Sequence, residues 1–202
     1  MNFLGHAYIA RNHPNLIAGN FAGDSYKGKI ENFSNLPEDI LNGIRLHRFI
    51  DDFTDSSKNV IEVCRIFQRE GVQKIGFIAS DILLDHHLSR EWSSYSDHNY
   101  QEFVDFVYEN TDAQLNELHP EFQWMYSKLK QYGWLFDYPS IPGISKIMEL
   151  FSRRIGFEND LLKTVDIYQT RQTEIDQLFH DFLIEINEAS AIFLLEKLQQ
   201  KS

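Results

Sequence analysis

The amino-acid sequence predicts an all-α fold, and two observations carry that reading. Apolar residues recur three and four positions apart along most of the 202 residues, and no stretch alternates with period two. Capping and ending residues, with Asn or Ser-Asp before some apolar runs and Gly or Pro after several, punctuate the chain between those runs. No repeat of fixed period, low-complexity tract or Ser/Gly-rich linker interrupts them, so residues 1–202 read as a single helical domain. A 43% hydrophobic, 24% charged chain of this length has enough apolar surface for one sizeable core.

Taken in order, residues 3–12 read as a short helix or entry segment carrying His6, followed by a turn at Asn12-His13-Pro14-Asn15. A short helical piece at 16–21 runs into a glycine-bearing turn, in which Asn20 and Asp24 are four apart. Asn35 and Pro37 start a helix predicted over 37–53, and further helices are predicted over 59–69 and 72–92. Ser96-Asp97 is expected to cap a helix over 98–118, broken at His119-Pro120, and 121–132 ends at Gly133. Pro139 and Pro142 are read as a loop before a helix over 144–155. The amphipathic run 159–201 is one long helix or two.

Charge and composition exclude several functions. A formal net charge of -11 argues against sequence-independent nucleic-acid binding, which needs a basic face. One cysteine, Cys64, cannot form an intrachain disulfide and reads as a small core residue. The first residues carry no basic region ahead of an apolar run, and no stretch reaches about 20 uninterrupted apolar residues, so a membrane partner is not expected and the cytoplasm is.

The chemistry concentrates in two predicted helices. Four residues of helix advance a side chain by roughly 400°, so His47 and Asp51 share a face, as do Asp81 and Asp85. Asp81 and Asp85 lie between two apolar stripes, one of Ile75, Ile78, Ala79, Ile82 and Leu83, the other of Phe77, Leu84 and Leu88. A helix apolar nearly all round is buried, and two buried carboxylates on one face need a cation between them. A divalent metal is the economical answer. Oxygen-rich donors with one or two imidazoles suit Mg²⁺, Mn²⁺ or non-haem iron, whose chemistry is phosphoester hydrolysis, and Arg48 offers a planar fork for the phosphate. Bland readings apply elsewhere. Asp52 is expected to pair with Arg45 or Arg48, and Asp55 to end a helix. His87, His98, His119 and His180 are read as structural, supporting or solvated, and Trp92, Trp124 and Trp134 as core or groove-lining.

Four motifs in order carry a resemblance: Met1-Asn2-Phe3-Leu4-Gly5-His6, Gly19-Asn20-Phe21-Ala22-Gly23-Asp24, Gly43 through Asp55 with its Leu46-His47-Arg48-Phe49-Ile50-Asp51 centre, and Asp81 through Leu88 followed by Trp92. Together with Ser152-Arg153-Arg154 they resemble the acyl carrier protein phosphodiesterase family, a divergent branch of the HD-type phosphohydrolases. The resemblance implies an HD-like helical bundle, a divalent metal (Mn²⁺ or Mg²⁺), and hydrolysis of the phosphodiester joining 4'-phosphopantetheine to a serine of holo-acyl carrier protein. It implies Asp24, His47, Asp51, Asp81 and Asp85 as metal residues, His6 and His86 as a further ligand or proton donor, and Arg48 as the phosphate anchor. Carrier protein is strongly acidic, so docking calls for a local basic surface, for which Arg45, Arg48, Arg65, Arg69, Arg153 and Arg154 are candidates. The competing readings are an HD-type hydrolase of a nucleotide or other small phosphoester, and a non-catalytic helical domain that binds carrier protein.

Overall fold

A computed structural model describes residues 1–199, with side chains described through Glu196. Among the described residues there are eleven α-helices and no strand. Helix α1 (Phe3–Ile9) starts at Asn2, whose side-chain oxygen accepts the Phe3 N–H, and α2 (Pro14–Phe21) places its proline in the first turn, where the missing N–H costs nothing. Two 3₁₀ turns (Gly23–Ser25 and Ile30–Phe33) lead to α3 (Glu38–Ser56), which has Glu38 and Asp39 against the positive end of its dipole. Then come α4 (Lys58–Arg69), α5 (Gly76–Arg90), α6 (Tyr100–Gln114) and α7 (Pro120–Tyr132). The chain ends with α8 (Trp134–Asp137), α9 (Ile141–Arg154), α10 (Lys163–Thr170) and α11 (Gln172–Gln199).

Several boundaries depart from the sequence reading, each for a local reason. Helix α5 begins at Gly76 rather than 72 because Lys74 adopts φ 67, a left-handed conformation that no helix continues through. Helix α6 is capped by Asn99, which accepts the Gln101 N–H, and not by Ser96-Asp97. Of the two prolines, Pro139 lies in the short turn between α8 and α9, but Pro142 is inside a helix. Ser140 caps α9 by accepting the Gly143 N–H, and Pro142 falls in the first turn. The stretch 159–201 is two helices, interrupted at Arg171, and its residues 200–201 lie outside the described residues.

Helix α5 runs through the middle of the molecule, against α1, α4, α9 and α11. Its residues Ala79, Ile82, Leu83, Leu84 and Leu88 are buried, as are Asp85, His86 and His87, while Phe77 at its start is 43% exposed. One apolar cluster joins these residues to Leu4, Ile17, Ile44, Ile50, Phe179 and Phe182. Each such side chain contributes about 1.5–3 kcal/mol by leaving water. Trp92 and Trp134 belong to this core, whereas Trp124 is 60% exposed, contrary to its expected placement. Helices α2 and α3 cross with almost no space between them. A methyl group on Gly43 would stand 2.5 Å from the Leu16 carbonyl oxygen and 2.6 Å from the Asn20 nitrogen. That crossing sets the position of the candidate site. Among the described residues no helix is long and apolar enough to cross a membrane.

Candidate metal centre

Asn20, at the α2–α3 crossing and wholly buried, organises two imidazoles. Its Nδ2 donates to the His6 carbonyl at 2.7 Å, which identifies its Oδ1 as the atom 3.2 Å from His6 Nδ1. Its backbone carbonyl lies 2.7 Å from His47 Nδ1. Both partners of the Nδ1 atoms are acceptors, so each ring carries its proton on Nδ1 and presents Nε2 as the free ligating atom. The two rings stack with centroids 4.1 Å apart and 18° between planes. Gly23 seats the His47 ring, since a Cβ there would fall 2.1 Å from His47 Cγ.

Asp51, one helical turn beyond His47, faces both nitrogens. Its Oδ1 is 3.1 Å from His6 Nε2 and its Oδ2 is 3.1 Å from His47 Nε2, with Asp24 Oδ1 3.5 Å from the same His47 atom. His6, His47 and Asp51 each place one donor atom within 4.8 Å of the others. His47 Nε2 is buried yet makes no hydrogen bond with either nearby carboxylate. A buried, unpartnered imidazole nitrogen among carboxylate oxygens, with its tautomer locked from behind, is the donor set a divalent cation takes. The residues fit the metal.

The electrostatics agree with that fit. Burial disfavours a charged His47, but the carboxylates of Asp24 and Asp51 override it and raise its pKa to about 9. His6 goes the other way, lowered to about 4 by burial and by the charge on His47. Asp51 stays ionised well below the ordinary carboxylate range, because the two imidazoles outweigh its burial, and Asp24 is lowered by His47. Without metal, one proton on His47 stands where a cation would.

Beside the cluster opens a cleft of about 370 Å³, lined among others by Asp24, Tyr26, Lys27, Arg48 and Asp51. Arg48 Nη2 donates to the Tyr26 carbonyl at 2.7 Å, which fixes the guanidinium at the wall. The side chain of Asp24 is 85% exposed and marks the open side.

The remaining predicted residues sit on α5 and are engaged differently. Asp81 pairs with the Met1 amino group at 2.5 Å. Asp85 is wholly buried and accepts the Leu4 and Gly5 N–H groups at 2.8 and 3.0 Å, which anchors the start of α1 immediately before His6. His86 Nδ1 donates to the Tyr138 carbonyl at 2.6 Å, and its ring stands edge-on to Tyr168. His87 uses both nitrogens, on Asp176 at 2.9 Å and Tyr95 at 2.7 Å. Asp52 makes no ion pair among the described residues. Arg45 bonds Glu38 and Asn42 instead. Asn20, which spacing alone had marked only as four from Asp24, proves to be the residue on which both imidazoles hang.

The sequence model described as acyl carrier protein phosphodiesterase matches residues 1–186. The chain belongs to that family. Members named acyl carrier protein phosphodiesterase from Shigella boydii serotype 18 and Escherichia coli O139:H28 are each 33% identical over 156 residues, which is 76% of this chain and 79% of theirs. No solved structure matches it. The family match contains every residue of the metal cluster and of the adjoining cleft.

Proposed function

We propose that this chain is a divalent-metal-dependent phosphodiesterase that cleaves 4'-phosphopantetheine from the serine of holo-acyl carrier protein. The observation that carries the reading is the convergence of His6, His47 and Asp51, with both imidazoles held in the ligating tautomer by Asn20. The names of its relatives supply the substrate.

His6, His47 and Asp51 would hold the ion, with Asp24 at the open side as a further carboxylate. A bound Mn²⁺ or Mg²⁺ would supply activated water and charge neutralisation for phosphoryl chemistry at neutral pH. Arg48, braced by the Tyr26 carbonyl, fixes a non-bridging phosphate oxygen and opposes the charge that grows on it during displacement. The cleft beside Asp24 admits the diester, so the serine oxygen leaves toward solvent and regains its proton there. Water is consumed, one P–O bond breaks and one forms, and the products are apo-carrier protein and free 4'-phosphopantetheine. Asp81 and Asp85 serve this site by holding α1, and His86 is turned to the Tyr138 carbonyl.

The test is to strip the purified protein of metal, restore Mn²⁺, add holo-acyl carrier protein and follow the carrier's mass. Loss of the 4'-phosphopantetheine mass with Mn²⁺ and not with chelator is expected, and Asp51→Asn or His47→Ala should lower the rate at least about a hundredfold. Metal-dependent turnover of small phosphodiesters with carrier protein untouched would replace the substrate. Carrier binding without any hydrolysis would remove the catalytic reading.

A further inference from the structure

In a chain with 30 acidic and 19 basic residues, most arginines find a carboxylate. Arg45 pairs with Glu38, Arg65 and Arg69 with Glu62, Arg90 with Asp176, Arg153 with Glu149, and Arg171 with Glu174. Several cations have no such partner among the described residues, Lys74, Lys128 and Arg154 among them, but Lys27, Lys29 and Arg48 are the ones found at or beside the cleft. Lys27 and Arg48 line the cleft beside the metal cluster, and Lys29 is exposed two residues further along the same loop.

That loop is built rather than loose. The Tyr26 carbonyl holds Arg48, its hydroxyl accepts the His119 N–H at 2.8 Å, and its ring packs edge-on against Phe33. The loop is therefore pinned to α3 on one side and to the start of α7 on the other, with both lysines facing outward. Asp24 and Asp51, the carboxylates that line the same cleft, face the imidazole cluster, where they would offset the charge of a divalent ion. A metal-loaded cleft would then carry Lys27 and Arg48 at its wall and Lys29 beside it, none of the three paired with a carboxylate among the described residues.

Resting on the phosphodiesterase reading above, we infer that Lys27 and Lys29 form a docking strip for an acidic protein surface surrounding the modified serine, with Arg48 at its inner end on the phosphate. The overall charge of -11 disfavours an acidic partner on the molecule as a whole, so a local basic strip also orients it. This narrows the basic surface to three residues on the α2–α3 loop and its neighbouring helix. Of the six arginines that sequence offered, it keeps Arg48 and leaves out Arg45, Arg65, Arg69 and Arg153, bound to their own glutamates, and Arg154, which stands over the Trp134 ring on the far helix α9. Nucleic acid is the other polyanion to test, and the net charge disfavours it.

The experiment measures binding of Escherichia coli holo-acyl carrier protein to the full chain carrying Asp51→Asn, by titration calorimetry at low and moderate salt, with hydrolysis followed separately on the Asp51 protein. Reversing both lysines (Lys27→Glu with Lys29→Glu) should weaken binding about tenfold and flatten its salt dependence. Arg153→Glu, on α9 and paired with Glu149, should leave binding and salt slope as they were. Equal affinity with the lysines reversed overturns the docking strip whatever the hydrolysis assay shows. Binding that depends on the lysines, without hydrolysis by the Asp51 protein, keeps the strip and removes the reading beneath it. Lysine-dependent binding of a DNA duplex, with no binding of carrier protein, overturns the strip as a protein contact.

Discussion

Asn20 holds two imidazoles of the candidate metal cluster through two different atoms, and substitution can separate them. Asn20→Ala removes the side-chain oxygen that holds His6 but leaves the backbone carbonyl that holds His47. Divalent-ion affinity should fall about 10–100-fold, read by titration calorimetry, while the His47 ring resonances keep their positions. Gly23→Ala should do the reverse, because its methyl group displaces the His47 ring and not that of His6. The pKa of about 9 at His47 gives a further expectation. Below that value a divalent ion must expel the imidazole proton, so apparent affinity should rise about tenfold per pH unit from neutrality and level off near pH 9. Calorimetry at pH 7.5 in buffers of differing ionisation enthalpy should report release of about one proton, and no release would show that His47 is neutral before metal arrives. At this scale the sequence was partly legible. The four-residue spacing placed Asp51 under His47, yet nothing in one dimension showed that His6 would stack on His47 or that an asparagine would hold both.

Among the elements, α5 explains why spacing and burial are insufficient to name a ligand. The reading that Asp81 and Asp85 sit on an inward helix and require positive partners rests on burial, and Asp85 is indeed wholly buried. Burial cannot say which positive partner. The structure supplies an amino group to Asp81 and two amide N–H groups to Asp85, so α5 acts as a seat for α1. Asp85→Ala should orphan two buried N–H groups and cost about 2–4 kcal/mol in denaturant unfolding. It should also loosen His6, so that metal affinity falls without any ligand having been changed. Gly43→Ala, at the α2–α3 crossing, should cost about 1–3 kcal/mol or more, because its neighbours are backbone atoms that cannot rotate away. Helix existence was legible from periodicity almost throughout. The starts of α5, α6 and α9 were not, since a left-handed Lys74 and the choice among neighbouring cap residues depend on tertiary context.

For the molecule as a whole, the cluster draws on α1, on α3 and, through Asp24, on the turn between α2 and α3. An ion that binds only this arrangement stabilises the fold by mass action, by about 2.7 kcal/mol at a hundredfold excess over Kd. Mn²⁺ should raise Tm and chelator should lower it. Asp51→Asn should abolish the shift, and a Tm indifferent to Mn²⁺ would argue that the cluster does not bind it. The all-α architecture could be read from the sequence because its signal is local and repeated. The route by which the C-terminal helices return to cover α3, with Phe193 stacked on Phe49 at 4.4 Å, has no local signal.

The bond between Asp85 and the Leu4 amide spans 81 positions of chain, and this has a consequence for synthesis. Elongation delivers His6, Asn20, His47 and Asp51 from the ribosome before Asp85 has been added. Until then the first amides of α1 lack their acceptor, and the imidazole of the next residue has no firm seat. If the cluster takes a metal ion, secure capture therefore belongs to the interval after α5 emerges. A nascent chain halted before residue 76 should hold the ion weakly or not at all.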